Sequence, residues 1–493
     1  MVKIWRKSFN LLLLVFVILN SMSCTKKSTS INALISYDIT DNILDPTDTT
    51  ITYKYQLLDN LNIKLIDLNK QNDYELLLAE SIDTSADKKT YRIKIRDAVF
   101  SNGDSIQARD VINSLKRLIL SGSSHVPLKN HVQDAERLTR IEDNISGLVE
   151  ISTSTLEIKL KKPVKDFLYY LTLADTGILH KTLHLKDKIS LSDYIIVSGA
   201  YTLINKTLIA NTRFLFFDKG MPQEIRLKNV PATFSKELIS ENEIGLTSFF
   251  DKNLNDCFEL PKPYKLSSNN HNFVVFLLIN TSKKPLDSAD YRRSLAKKIQ
   301  DQIITPPKNP YFLKAHQYFI PGSKGFTSIT KHYETENKTK FDTKINIEST
   351  PGTMKYIYKG LSEQLSSSEV VNKINFTETI DQMLKKIREG NFDTYLIPAS
   401  MNYNIISESL NLLYSEKNGI AKNPNEKIKS LLEKYQSEDI PDFGAEITQL
   451  MNDESEVIPL FYTASPFFYN EDRINLNMVN LNESLAFWRM RVK

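Results

Sequence analysis

The chain has 493 residues, with 63 Lys and Arg against 59 Asp and Glu, for a formal charge of +4. Its length leaves room for two or three domains, and a composition 41% apolar and 25% charged excludes a disordered or fibrous protein. The near-balanced charge argues against nucleic acid as a partner. With only two cysteines, Cys24 and Cys257, a disulfide framework or multi-cysteine zinc site within this chain is excluded.

The first segment explains most of the surplus charge. Lys3, Arg6 and Lys7 carry three of the four net positive charges, and an unbroken apolar run follows at Leu11–Leu19. That run falls well short of the roughly 20 residues that span a bilayer, so residues 1–23 read as a cleavable signal peptide. Ser21-Met22-Ser23-Cys24 resembles the bacterial lipoprotein signal, with Ser21 where that signal usually has Leu. The resemblance implies that Cys24 is lipidated and that residues 24–30 tether the chain to a membrane. The alternative is a plain signal peptide with an incidental cysteine. Cys257 reads as a small buried hydrophobe.

Further along, ALISY (33–37) reads as a short strand and LDPTDTT (44–50) as a turn-rich loop. In TYRIKIRDAVF (90–100), Tyr91, Ile93 and Ile95 alternate with Arg92, Lys94 and Arg96, the pattern of a strand with one buried face. SNGDS (101–105) is a turn, and the spacing of Val111, Ile112, Leu115 and Leu118 is helical. Residues 148–160 read as a hairpin, 162–173 as a helix, and 198–205 and 212–218 as strands.

The second half opens with NFVVFLLINT (272–281), a continuous apolar run that fits a strand buried on both faces. Tyr291–Ile299 is helical, and 301–340 is irregular. Strands at 341–349, 371–376 and 392–398 alternate with helices at 354–365 and 377–389, which predicts a largely parallel sheet. Helices at 425–435 and 443–452 and a strand at 457–463 complete the chain.

No enzyme signature emerges. His180 and His184 lie four apart without the Glu that a zinc-protease helix requires, and they read as structural histidines. The chain has no Gly-x-Ser-x-Gly elbow and no Walker-type phosphate loop, and Gly322–Gly325 reads as a turn. Catalytic residues, metal ligands and cofactors are therefore not expected.

The informative stretch is Tyr91–Arg117. Phe100, Ser101, Asn102, Gly103, Asp104, Ala108, Asp110, Val111, Lys116 and Arg117 resemble the N-terminal signature of family 5 solute-binding proteins, receptors of ABC importers for oligopeptides, dipeptides and nickel. LDP (44–46), SGAYTL (198–203), Tyr291–Leu295, NFDTYLI (391–397) and VIPLFY (457–462) follow in that family's order.

The resemblance implies an α/β fold of two lobes, the periplasmic-binding-protein type II fold, with an extra N-terminal subdomain. Lobe I would comprise 31–53, 191–268 and 458–493, the inserted subdomain 54–190, and lobe II 269–457. It implies a monomeric lipoprotein of the cell envelope, facing the periplasm or exterior. Such a receptor would capture a peptide or related small solute between its lobes and deliver it to a permease. The resemblance puts Asn402 where the family has an acid that meets the ligand's ammonium group and Tyr403 at the Tyr that follows it, and Asp45 is a further expected ligand contact. Asn402 brings no charge, so a nearby acid such as Glu408 is the alternative anchor. Trp488 is expected to be packing. A surface lipoprotein that keeps the fold as an adhesin or sensor is the second reading.

Overall fold

The computed structural model describes residues 29–35, 42–47, 52–69, 71, 73–123, 126–229, 236–246, 260–267, 273–302, 312–323, 325–327, 344–349, 364–376, 380–400, 410, 414, 425–437, 440, 442–463, 467–476 and 485–493. Cys24, Cys257, Asn402, Tyr403, Glu408, the signal peptide and nearly all of the helix expected at 354–365 lie outside these residues.

The chain enters strand β1 (Ser30–Ile35) and then helix α1 (Thr52–Leu61). The subdomain follows, with β2 (Ala79–Thr84), β3 (Thr90–Ile95), α2 (Ala108–Ser121), β4 (Leu148–Ser152) and β5 (Thr155–Lys159). These strands form an antiparallel sheet in the order β2-β3-β5-β4. On β3 the expected alternation holds: Tyr91, Ile93 and Ile95 are buried, and Arg92 and Lys94 are exposed.

Helix α2 lays Val111, Leu115, Leu118 and Ile119 against β4 and β5, each side chain contributing roughly 1.5–3 kcal/mol by leaving water. The Gln107 backbone N–H donates to the Asp110 carboxylate over 2.9 Å, closing a capping box. Gly122, left-handed at φ +67°, ends the helix.

Two expectations fail here. Only Phe167–Tyr170 of 162–173 is α-helical, because the N–H groups of Phe167, Tyr169, Leu171, Thr172 and Leu173 bond three residues back rather than four. Residues 212–218 form turns, not a strand. Their alternating aromatics are there to pack: Trp488 stacks on Phe216 at 5.6 Å and meets Phe214 edge-on at 5.4 Å.

Lobe I continues with β6 (Tyr201–Ile204), β7 (Thr207–Ala210), β8 (Glu224–Asn229), β9 (Ile244–Leu246) and β10 (Tyr264–Leu266). Lobe II contains β11 (Phe273–Ile279), α3 (Ala289–Gln302), β12 (Phe312–Lys314), β13 (Ile345–Ser349) and β14 (Val371–Phe376). Then come α4 (Ile380–Glu389), β15 (Thr394–Ser400), α5 (Glu426–Ser437), α6 (Phe443–Glu454) and β16 (Val457–Thr463). The chain returns to lobe I with β17 (Phe467–Asn470).

The seven-stranded sheet of lobe I runs β10-β17-β9-β1-β8-β7-β6, and the six-stranded sheet of lobe II runs β12-β16-β11-β15-β13-β14. The second sheet is mixed rather than largely parallel: β13 is parallel to β14 and β15, but β11 is antiparallel to both of its neighbours. Val274, Phe276 and Leu278 of β11 join one core cluster and Val275, Leu277 and Ile279 another, which explains the unbroken apolar run. The expected boundary at 458 moves as well. Because β16 pairs with β11, residues 457–463 belong to lobe II, and the chain crosses back between Thr463 and Phe467.

The C-terminus closes on α1. The Gln56 and Asn60 amides donate to the Leu485 carbonyl over 2.8 and 3.0 Å. Below it, the buried Lys64 ammonium contacts Asp59 at 2.5 Å and Asp67 at 2.9 Å, and Arg489 reaches Asp67 and Glu75. Trp488 is thus packing.

Burial gives the lobes opposite responses to acid. Desolvation holds His131, stacked on Tyr170, and His184 down at about 4. Unfolded histidines titrate near 6.5, so between there and about 4 the unfolded chain binds more protons, and acidification costs the subdomain stability. By pH 5 each histidine costs roughly 2 kcal/mol. Glu456 in lobe II is pushed up to about 7 by burial, so acidification from pH 7 stabilises that lobe by a similar roughly 2 kcal/mol. Region-resolved hydrogen exchange at pH 7 and pH 5, corrected for intrinsic rates, should show the subdomain deprotected and lobe II protected. Parallel changes in both regions would contradict this assignment.

Candidate functional site at the strand ends

The site follows from sheet directions. In lobe I, β1 is parallel to β8 and β9, so Ile35, Asn229 and Leu246 end at one edge. The antiparallel register Leu246↔Phe467 and Leu266↔Phe468 places the start of β17 and the end of β10 at that same edge. In lobe II, β13, β14 and β15 run the same way toward Ser349, Phe376 and Ser400, with β15 continuing past the level of Ser349, and Phe273 pairs with both Ser400 and Thr463.

Both connections between the lobes, residues 268–272 and 464–466, therefore join these two edges. Four residue steps from Thr463 to Phe467 reach at most about 14 Å. The two edges consequently lie close together at these crossings, and the carboxyl ends of parallel strands are where open α/β sheets bind ligands.

Of the residues singled out from the sequence, those among the described residues belong to the scaffold. Asn402 and Tyr403 lie outside the described residues, just beyond the carboxyl end of β15 at Ser400. Asp45, expected to touch ligand, is only 2% exposed and fully engaged elsewhere. Its Oδ1 accepts from the Thr47 backbone N–H and hydroxyl at 2.9 and 2.8 Å. Its Oδ2 accepts from Ile189 N–H at 2.8 Å and Arg117 Nη2 at 2.7 Å. Four bonds fill the acceptor positions of a carboxylate, so Asp45 belongs to the scaffold.

The signature turn and helix are scaffold too. Gly103, at φ +97°, makes the turn in which Phe100 N–H donates to the Asp104 carbonyl over 2.8 Å. Hydrogen bonds from His180, Asn102 and Lys181 hold the Asp104 carboxyl down at about 2. His180 Nε2 lies 3.0 Å from that carboxylate, and its ring meets Phe100 edge-on at 4.9 Å. His184 Nε2 meets the Leu179 carbonyl at 2.9 Å. Both histidines are buried and committed to hydrogen bonds within the scaffold.

Arg117, at the far end of the signature helix, also donates to the carbonyls of Leu183, His184 and Lys186. It thereby ties the helix to both the LDP turn and the 183–189 segment. Spacing in the sequence could not pair Arg117 with Asp45, since 72 residues separate them. Among the described residues, no group of three or more His, Cys, Asp or Glu could hold a metal ion, and no helix is long and apolar enough to cross a membrane.

Residues 73–420 match the family described as bacterial extracellular solute-binding proteins, family 5. The chain belongs to that family. As a family 5 solute-binding protein it is 23% identical over 329 residues to the dipeptide-binding protein of Lactococcus lactis, covering 62% of this chain and 58% of that one. It is also 23% identical over 351 residues to an oligopeptide-binding protein of Bacillus subtilis, covering 66% and 61%. The match thus spans about six tenths of the length of these curated relatives.

Solved structures extend the likeness to the whole fold. A dipeptide-binding protein from Pseudoalteromonas sp. SM9913 superposes with a TM-score of 0.77 at 14% identity, over 94% of this chain and 100% of that one. A periplasmic oligopeptide-binding protein of Borrelia burgdorferi gives 0.74 at 17% identity, over 94% and 100%. This solute-binding protein has the type II periplasmic-binding-protein fold.

Proposed function

We propose that this chain is the lipid-anchored receptor of an ABC importer, capturing peptides or a related small solute in its interlobe cleft for delivery to a permease. The observation that carries the reading is topological. The carboxyl ends of the parallel strands in both lobes lie close together at the two chain crossings, within a chain of this family. Closure around a ligand would be favoured only by contacts that the open state lacks. An extended peptide suits such a cleft because its backbone can pair with strand-like segments whatever its side chains.

Asn402 and Tyr403 support this reading by their position just past the end of β15, and Asn402 would meet the ligand's amino end as a neutral acceptor. Charge-assisted hydrogen bonds are roughly twice as strong as neutral ones. Asn402→Asp is therefore expected to strengthen binding of peptides with free N-termini relative to their N-acetylated forms. Equal affinities for both peptide forms, in both proteins, would remove residue 402 from the ligand's amino end. Cys24 would supply the anchor, with residues 24–30 as tether.

One experiment tests the function and the anchor together. Mass spectrometry of the protein purified without added ligand, before and after denaturation, should release short peptides and give an intact mass that begins at a diacylglyceryl-modified Cys24. An empty cleft, with no thermal shift across a peptide library, would favour an adhesin or sensor built on the same fold. An unmodified N-terminus would remove the lipid anchor alone.

A further inference from the structure

We infer that Lys165 and Tyr435 form a latch that biases the ligand-free protein toward the lobe arrangement in which the two side chains meet. The subdomain carrying Lys165 is continuous with lobe I at both of its ends, and lobe II is continuous with lobe I through 268–272 and 464–466. No covalent path joins the subdomain directly to lobe II. Yet the Lys165 ammonium sits 4.2 Å from the centre of the Tyr435 ring in lobe II. A contact between two bodies that are linked only through a third must form or break as the lobes move.

Both partners are held for the purpose. Lys165 projects from a turn whose neighbours Val164 and Phe167 are buried and joined by a 3.2 Å backbone bond. The Tyr435 ring, on α5, is stacked on Phe443 of α6 with centroids 4.0 Å apart and planes inclined by 24°. The pair is therefore a cation over the face of a ring that cannot turn away, with the long Lys165 side chain able to adjust its reach. Such a contact at a solvent-accessible site changes a two-state ratio by about two- to five-fold. That is enough to shift a balanced equilibrium and too little to lock the lobes in one arrangement, as a receptor that must release its cargo requires.

The latch depends on the fold and not on what the cleft binds, so it is tested without a ligand. Small-angle scattering of the full-length protein, stripped of any copurified ligand by denaturation and refolding, reports the open and closed populations through the radius of gyration. Lys165→Met should change the closed-to-open ratio by about two- to five-fold, away from the arrangement in which the two side chains meet. Lys165→Arg keeps a cation over the ring and Tyr435→Phe keeps the ring face, so both should match the unsubstituted protein. Lys165 is exposed, so its replacement should leave the melting temperature unchanged and separate a shifted equilibrium from a damaged fold. Identical scattering from Lys165→Met and the unsubstituted protein would overturn the latch. So would an equal shift in Lys165→Arg.

Discussion

Arg117→Met is expected to destabilise lobe I and its subdomain by about 3–5 kcal/mol, the usual consequence of stranding one member of a buried ion pair. The two side chains are only 8% and 3% exposed, so water cannot take the place of the missing guanidinium. Asp45 would keep the bonds from Thr47 and Ile189 but would lose the one positive charge bonded to it. The carbonyls of Leu183, His184 and Lys186 would lose a donor at the same time. Urea unfolding followed by a probe in the subdomain measures the loss.

Adding Asp45→Asn to Arg117→Met tests the assignment of Asp45. The neutral amide removes the unpaired charge, so the double variant should be less destabilised than the sum of the two single changes. If Asp45→Asn instead left stability untouched and abolished ligand binding, Asp45 would belong to the cleft after all.

Gly199→Ala is expected to cost about 3 kcal/mol or more, for a different reason. A Cβ on Gly199 would lie 2.4 Å from the Leu61 carbonyl carbon and 2.6 Å from the Asn62 nitrogen. Both are backbone atoms, so no side chain can swing aside, and ordinary overpacking already costs about 1–3 kcal/mol. The close approach also carries structure: Gly199 N–H donates to the Leu61 carbonyl over 2.8 Å, and the Ser198 hydroxyl receives Ile63 N–H and donates to the Ile178 carbonyl. These bonds dock the end of α1 against the strand that begins lobe I's hairpin.

Gly122→Ala provides the contrast. Gly122 has open space around its Cβ position and a φ of +67°, so its replacement carries only the left-handed penalty, about 1–2 kcal/mol. Similar losses for the two variants would show that the backbone at Leu61 and Asn62 gives way to a Cβ on Gly199, since Gly199 itself is not left-handed.

The candidate site was only partly legible in the sequence. The strand expected to stop at Pro398 runs on to Ser400, whereas Asn402 was located by resemblance alone and lies outside the described residues. Asp45 was misassigned because a carboxylate beside a turn looks the same whether it faces solvent, a ligand or an arginine 72 residues away. The strand expected at 212–218 failed for a related reason: aromatic alternation records burial, and here Trp488 from the C-terminus supplies it without any strand partner.

What the amino-acid sequence determined by itself was local. The period of two on β3, the helical spacing and capping of α2, the apolar run of β11 and the Asn-Gly turn all depend on neighbours a few residues away. Tertiary structure alone decided which sheet claimed residues 457–463, that β11 runs antiparallel to both neighbours, and that both strand-end edges meet across two short crossings. It alone brought Lys165 over Tyr435. The physical reason is that periodicity reports how much of a side chain is buried, whereas partner and direction depend on which edges and faces remain free once the rest of the chain has folded.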